Sequence, residues 1–230
     1  MKLAIVIPAY NEAGSIENVL KNLPKKIHGI DQIISIVVDD GSTDKTFEIA
    51  KKHASYPVHH VINLGVGAAT TSGLEAAKKL KCNIVVTIDA DGQHNPKDIK
   101  KIIQPILTNK ADFVIGTRMK NSKGMPTLKI IGNWMMNILT LIIFRKWSTD
   151  SQSGMKALSK RALQKIELHS IGYEVCSELV GEITRNKLTF TEIPIEVIYT
   201  DHSRSKGQDW LNAVNILTRS IAIKLGRQKS

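Results

Sequence analysis

Cysteine is scarce, with only Cys82 and Cys176 in 230 residues, and their spacing matches no metal-ligand pattern. Buried thiols in a reducing compartment are the expectation. Long apolar runs are missing too. Leu3 to Ile7 stops at Pro8 and is followed by charged Glu12, which reads against a secretory leader. The stretch from Ile130 to Phe144 is interrupted by Asn133 and Asn137. It falls short of the roughly 18–20 residues of a membrane span, so a soluble or membrane-surface protein is expected. No internal repeat, low-complexity tract or linker divides the chain. One domain over 1–230 is the simplest account, with 1–118 and 119–230 as its two halves.

Acidic residues are absent from Phe113 to Thr149, where Arg118, Lys120, Lys123, Lys129, Arg145 and Lys146 stand. The formal net charge is +11, which calls for an anionic partner: nucleic acid, anionic lipid or a phosphorylated substrate. No recognition helix, aromatic platform or zinc pattern supports nucleic acid, and acids at strand ends would repel its phosphates. No nucleic-acid partner is expected.

In the first half, apolar runs alternate with amphipathic segments. Strands are predicted at KLAIVIP, IISIVV, Val58–Ile62, Asn83–Ile88 and Asp112–Gly116. Helices carry Ile16, Val19, Leu20 and Leu23, then Phe47 and Ala50, then Gly67–Leu80, then the segment from Pro96. Strands apolar on both faces and separated by helices predict a mostly parallel α/β sheet covered on both sides. Beyond Arg118, helices are predicted at Lys129–Lys146, Arg161–Ile166, Glu174–Asn186 and Asp209–Leu225, with a strand from Phe190 to Tyr199. Ligands of such sheets bind beyond the carboxyl ends of the strands.

Polar clusters sit at those ends. Asp89 and Asp91 follow a hydrophobic strand, so both carboxylates can approach one hard cation, Mg²⁺ or Mn²⁺, with Gln93 as a further oxygen. The bland alternative is a turn capping the Pro96 helix. Asp39 and Asp40 form a second acidic turn, in which a carboxylate can accept from a base N–H or a ribose hydroxyl. Gly41 and Ser42–Asp44 alone account for most of that turn. Asn63-Leu-Gly-Val-Gly67 is a weak phosphate-loop signal, since a loop feeding a helix explains it equally simply. Arg118 can fork a phosphate, although a lone surface arginine is commonly just solvated.

Six motifs occur in order: Pro8-Ala-Tyr10-Asn-Glu12, Val37-Val-Asp39-Asp40-Gly-Ser, Asn63-x-Gly65-x-Gly67, Asp89-Ala90-Asp91-Gly-Gln93-His94, Gly116-Thr-Arg118 and Asp150-Ser-Gln-Ser-Gly-Met-Lys156. Together they resemble family-2 glycosyltransferases of the GT-A fold. More narrowly, they resemble the polyprenyl-phosphate glycosyltransferases, which include dolichyl-phosphate mannose synthases and glucosyltransferases. The resemblance covers roughly residues 3–200. It implies a Rossmann-like nucleotide-diphospho-sugar domain and inverting transfer from a UDP- or GDP-sugar. Pro8, Tyr10, Glu12, Val37 and Asp39 would line the nucleoside pocket, with Asp40, Gly67 and Ala90 beside it. Asp89, Asp91 and Gln93 would hold the metal. Arg118, Lys129, Arg204 and Lys206 would meet phosphates. With the sequence read to Ser230, the carboxy-terminal transmembrane helices that some members carry are not expected.

A lipid-phosphate acceptor is already ionised and needs no base, whereas a sugar hydroxyl would require one, with Asp150 the candidate. The apolar, cation-flanked Lys129–Lys146 helix favours the lipid and a peripheral place on the cytoplasmic membrane face. A core-packed helix or a homodimer contact is the alternative.

Overall fold

In this computed structural model, described over residues 1–119, 125 and 127–198, one sheet organises the chain. Strand β1 (Lys2–Ala9) lies at its centre because both faces of KLAIVIPA are apolar. Leu3, Ile5 and Ile7 enter one core, and Ala4 and Val6 the other. Each fully buried isoleucine contributes about 1.5–3 kcal/mol of apolar burial. β1 pairs in parallel with β2 (Gln32–Asp39) and β4 (Ile84–Thr87). β3 (Tyr56–His59) adds to the outer side of β2. It carries Pro57, which lacks a ladder N–H and is tolerated on an edge strand.

Beyond β4 comes β6 (Lys156–Ser159), antiparallel to both β4 and β5 (Phe113–Thr117). β7 (Phe190–Pro194) closes the far edge, parallel to β5. The order is β3-β2-β1-β4-β6-β5-β7. The mostly parallel sheet matches expectation, while β6 was not anticipated. Its apolar run is short and Lys156 interrupts it, so periodicity gives no strand signal there.

Helices α1 (Ile16–Asn22), α2 (Thr46–His53) and α4 (Ile99–Leu107) are near the first core, with α4 entered through a short 3₁₀ turn, Pro96–Asp98. Asn95 caps that turn by accepting from the Lys97 N–H at 3.1 Å. α3 (Val66–Lys79), α6 (Lys160–Lys165) and α7 (Val175–Arg185) cover the other face. α3 lies so close to β1 that a Cβ on Gly73 would stand 2.2 Å from a Val6 methyl. The long α5 (Thr127–Phe144) packs on α7, where a Cβ on Gly181 would meet the Phe144 ring at 2.4 Å.

Two boundaries differ from expectation. The strand predicted at Val58–Ile62 is β3, two residues earlier, because the His60 N–H bonds the Asp39 carbonyl and the chain then turns. β7 ends at Pro194 rather than Tyr199, although Ile195 still donates to the Thr117 carbonyl at 3.1 Å. The helix predicted at Asp209–Leu225 lies outside the described residues. No helix among the described residues is long and apolar enough to cross a membrane.

Candidate active site

Because β1, β2 and β4 run parallel, their carboxyl ends meet at one edge of the sheet. β2 ends at Asp39, and the turn that follows needs Gly41, whose φ is 72°. A Cβ there would lie 2.5 Å from the Ile62 carbonyl carbon. Asp39 is fully buried. Its Oδ2 meets His59 Nδ1 at 2.8 Å and, more weakly, the Ser42 N–H at 3.4 Å. Its Oδ1 is buried with no hydrogen-bond partner.

Asp40 sits beside it in a different state. Oδ1 meets His60 Nδ1 at 2.7 Å and the Leu64 N–H at 3.1 Å, while Oδ2 accepts from the Gly65 N–H at 2.7 Å. His60 Nε2 reaches Ser72 Oγ at 2.9 Å. Asp40, expected in the substrate pocket, instead pins the loop that follows β3. Gly67, expected near phosphate, is also structural here. Its N–H bonds the Ile171 carbonyl at 2.8 Å, and a Cβ would strike the Ser170 oxygen at 2.4 Å. The start of α3 is therefore sealed by chain rather than open to an anion.

The acidic pair follows β4. Asp89 Oδ2 meets His94 Nε2 at 3.0 Å, and His94 is buried. Gly154 packs directly on this carboxylate, since a Cβ there would lie 2.1 Å from both oxygens. Asp91 Oδ1 accepts the Gln93 N–H at 2.9 Å and its Oδ2 accepts Gln93 Nε2 at 2.6 Å. Gln93 thus meets Asp91 through its backbone N–H and Nε2, and its Oε1, the oxygen expected to meet a cation, takes no part in these two bonds.

The two carboxylates differ in proton affinity. Burial, the Asp89 charge and the Glu12 charge raise Asp91 above the usual carboxylate range. Burial acts upward on Asp89 as well, but the His94 hydrogen bond and the charges of His94, Arg118 and Lys156 outweigh it and hold Asp89 low. Such a like-charged pair fits a hard divalent cation, which would relieve the repulsion that raises Asp91. No cluster of three or more His, Cys, Asp or Glu side chains able to hold a metal exists among the described residues. A cation here would keep most of its coordination for water and ligand oxygens, as Mg²⁺ does.

The opposite wall is cationic. Arg118 forks onto Asp150, Nε to Oδ2 at 2.8 Å and Nη2 to Oδ1 at 2.7 Å, and its backbone N–H adds a third bond at 2.8 Å. Asp150 is fully buried. The residues expected as phosphate clamp and as base thus form one bidentate pair. Asn137 on α5 holds the neighbouring loop, donating to the Thr149 carbonyl at 2.7 Å and accepting from the Ser151 N–H at 2.8 Å. Lys156 is buried and donates to the Ser153 carbonyl.

Of the remaining predicted site residues, Pro8 lines a small cavity with Thr87, Asp89, Gly154 and Lys156. Tyr10 is exposed, and Glu12 Oε2 accepts from Ser15 Oγ at 2.7 Å. Val37 and Ala90 lie in the core beneath the site. Lys129 is half-buried near the start of α5. Arg204 and Lys206 lie outside the described residues. Sequence reasoning assigned no role to His59, His60, His94 or Lys156. For the last two the signal was present, since both stand inside acidic motifs.

This geometry is a mostly parallel α/β sheet with paired carboxylates at its carboxyl edge. The sequence profile described as glycosyl transferase family 2 matches residues 4–167. UDP-N-acetylglucosamine–dolichyl-phosphate N-acetylglucosaminyltransferase of Methanococcus voltae is 39% identical over 245 residues, covering 97% of this chain and 96% of its own. Dolichol-phosphate mannosyltransferase of Pyrococcus furiosus is 30% identical over 223 residues, covering 94% of this chain and 61% of its own. A solved structure of glucosyl-3-phosphoglycerate synthase from Mycobacterium tuberculosis with Mn²⁺ and UDP-glucose shares the fold, with TM-score 0.71 at 21% identity over 98% of this chain and 78% of that one. The chain belongs to glycosyl transferase family 2 and has the GT-A fold.

Proposed function

We propose that the protein transfers a sugar, with inversion, from a UDP-sugar to a polyprenyl phosphate. N-acetylglucosamine is the first sugar to test, because the Methanococcus voltae relative named for it matches nearly end to end. The observation that carries the reading is what stands at the carboxyl ends of β2 and β4: Asp39 with one oxygen unpartnered, and the mutually repelling Asp89 and Asp91. Asp39 suits a base N–H. Asp89 and Asp91 would hold a divalent cation, Mg²⁺ or Mn²⁺, which when bound supplies neutralisation of the charge on a leaving diphosphate.

The surroundings of Asp150 support a phosphate acceptor. A carboxylate gripped by both arms of an arginine and a backbone N–H is a poor general base. A hydroxyl acceptor would need one, and an ionised phosphate does not. α5 supports a lipid. Ile131, Trp134, Met135, Ile138, Leu141 and Ile142 form an exposed apolar stripe along it, at helical spacing. The Trp147 ring lies against Trp134, centroids 5.7 Å apart and planes tilted by 42°, and Lys146 follows α5. Such an element suits the membrane interface, which supports the reading of a peripheral enzyme working at the cytoplasmic face.

The test is transfer of radiolabel from UDP- and GDP-sugars to polyprenyl phosphate with Mn²⁺ or Mg²⁺, beside Asp91→Ala. Metal-dependent label in the organic phase, lost in the variant, is expected. Label confined to a water-soluble glycan would move the acceptor to a hydroxyl.

A further inference from the structure

Two neighbouring aspartates at the end of β2 each face a histidine from the end of β3. The register sets this up: β2 and β3 run parallel with Asp39 opposite His59, and Asp40 and His60 follow. The pairs are alike in distance, 2.8 Å for Asp39–His59 and 2.7 Å for Asp40–His60. They differ in what remains. Asp40 has both oxygens bonded, and its histidine, with a side chain 10% exposed, is bonded onward to Ser72. Asp39 has Oδ1 buried and unpartnered. A buried carboxylate oxygen without a donor is costly, so a persistent one marks a place where a ligand supplies the donor.

His59 decides how many acceptors that ligand meets. An ionised carboxylate only accepts, so His59 Nδ1 carries the proton and occupies Oδ2. The ring is held in this pose by stacking on Phe47, with centroids 4.4 Å apart and planes 23° from parallel. Oδ1 alone is left. Uracil offers one imide N–H flanked by two carbonyls. Guanine offers two adjacent donors, N1–H and the 2-amino group, which call for both oxygens of a carboxylate.

We propose that His59 is a specificity-determining positioning residue: by occupying Asp39 Oδ2 it leaves a single acceptor, so the site reads the uracil imide and rejects guanine. This rests on the reading of the edge as a nucleoside-diphosphate site. Losing the histidine would let Asp39 present both oxygens.

The experiment is calorimetric binding of UDP and of GDP, each with Mn²⁺, to the wild type, His59→Leu and His59→Asn. The two ligands carry the same diphosphate, so the ratio of their dissociation constants isolates the base. The wild type favours UDP, His59→Leu cuts that ratio by about tenfold, the worth of one charge-assisted hydrogen bond, and His59→Asn, which returns an N–H near the Nδ1 position, restores most of it. An unchanged ratio in His59→Leu, equal weakening of both ligands, or a wild-type preference for GDP overturns the assignment while leaving the transferase reading intact. A wild type that binds neither nucleotide sinks the donor reading and this inference with it.

Discussion

Two groups of buried acids make a contrast. Glu174 at the N-cap of α7, and Glu178 and Glu182 within it, stand four residues apart, all buried. Glu178 accepts from the His169 N–H at 3.0 Å and the Ser170 N–H at 2.9 Å. Glu182 accepts from the Glu167 N–H at 3.2 Å and from Asn186 Nδ2 at 2.9 Å, and Glu174 from the Gly172 N–H at 2.9 Å. They fasten the 167–172 segment, whose Ile171 carbonyl in turn caps α3. At the sheet edge, Asp39 lacks a partner on one oxygen, and Asp91 is pushed toward protonation by burial and by its neighbour Asp89. Burial is common to both groups. An unmet acceptor on Asp39 and a like charge beside Asp91 separate them, and distinguish acids that hold the fold from acids that wait for a ligand.

The largest expected effect comes from Asp91→Asn. Transfer falls by at least roughly a hundredfold, the scale of losing a main electrostatic contact to the reacting charge. The melting temperature holds or rises, because a like-charged neighbour of Asp89 is gone. A marked loss of stability would make Asp91 a structural acid and erase the contrast. Glu178→Ala should do the reverse. Two backbone donors lose a buried acceptor, costing about 2–3 kcal/mol in urea unfolding, while turnover well below the melting point changes by less than about threefold. Gly154→Ala sharpens the boundary between the groups. The new Cβ would sit 2.1 Å from both Asp89 oxygens, so the carboxylate must swing away. Transfer should drop by on the order of tenfold through misplacement, with Asp150 and its arginine untouched.

The smallest effect is on stability against pH, read without metal. Asp91 is raised above 3.8 in the fold. Between 3.8 and that raised value the folded state binds more protons than the unfolded one, so its contribution to stability falls as pH rises through the window. Asp89, held low, acts oppositely, retaining stability above 3.8 and losing it in acid. The wild-type minus Asp91→Asn difference isolates Asp91. Urea midpoints from just above 3.8 to neutrality should show that difference declining. A flat or rising difference would contradict the cause given for Asp91.

Much of this was legible in the sequence. Runs such as KLAIVIP are apolar on both faces, so a parallel sheet and its acidic edge followed from periodicity alone. β6 was not, because four residues containing a lysine carry no strand signal and only the neighbouring β4 and β5 make them one. Partners were harder still. Asp39 and Asp40 are identical and adjacent, and nothing local says that one receives the Leu64 and Gly65 N–H groups while the other keeps an oxygen without a donor. Arg118 and Asp150 stand far apart in sequence, so their mutual neutralisation appears only when β5 and the loop after α5 come together. The glutamates of α7 read as a solvent-facing stripe until the 167–172 segment folds over them.

The central claim is that the sheet-edge aspartates form a metal-assisted nucleotide site. Its most direct test is Mn²⁺ binding followed by electron paramagnetic resonance, with and without UDP, in the wild type and Asp91→Asn. The account predicts one Mn²⁺ per chain, bound more tightly when UDP is present and lost in the variant. Mn²⁺ binding that ignores UDP and survives in Asp91→Asn would contradict it.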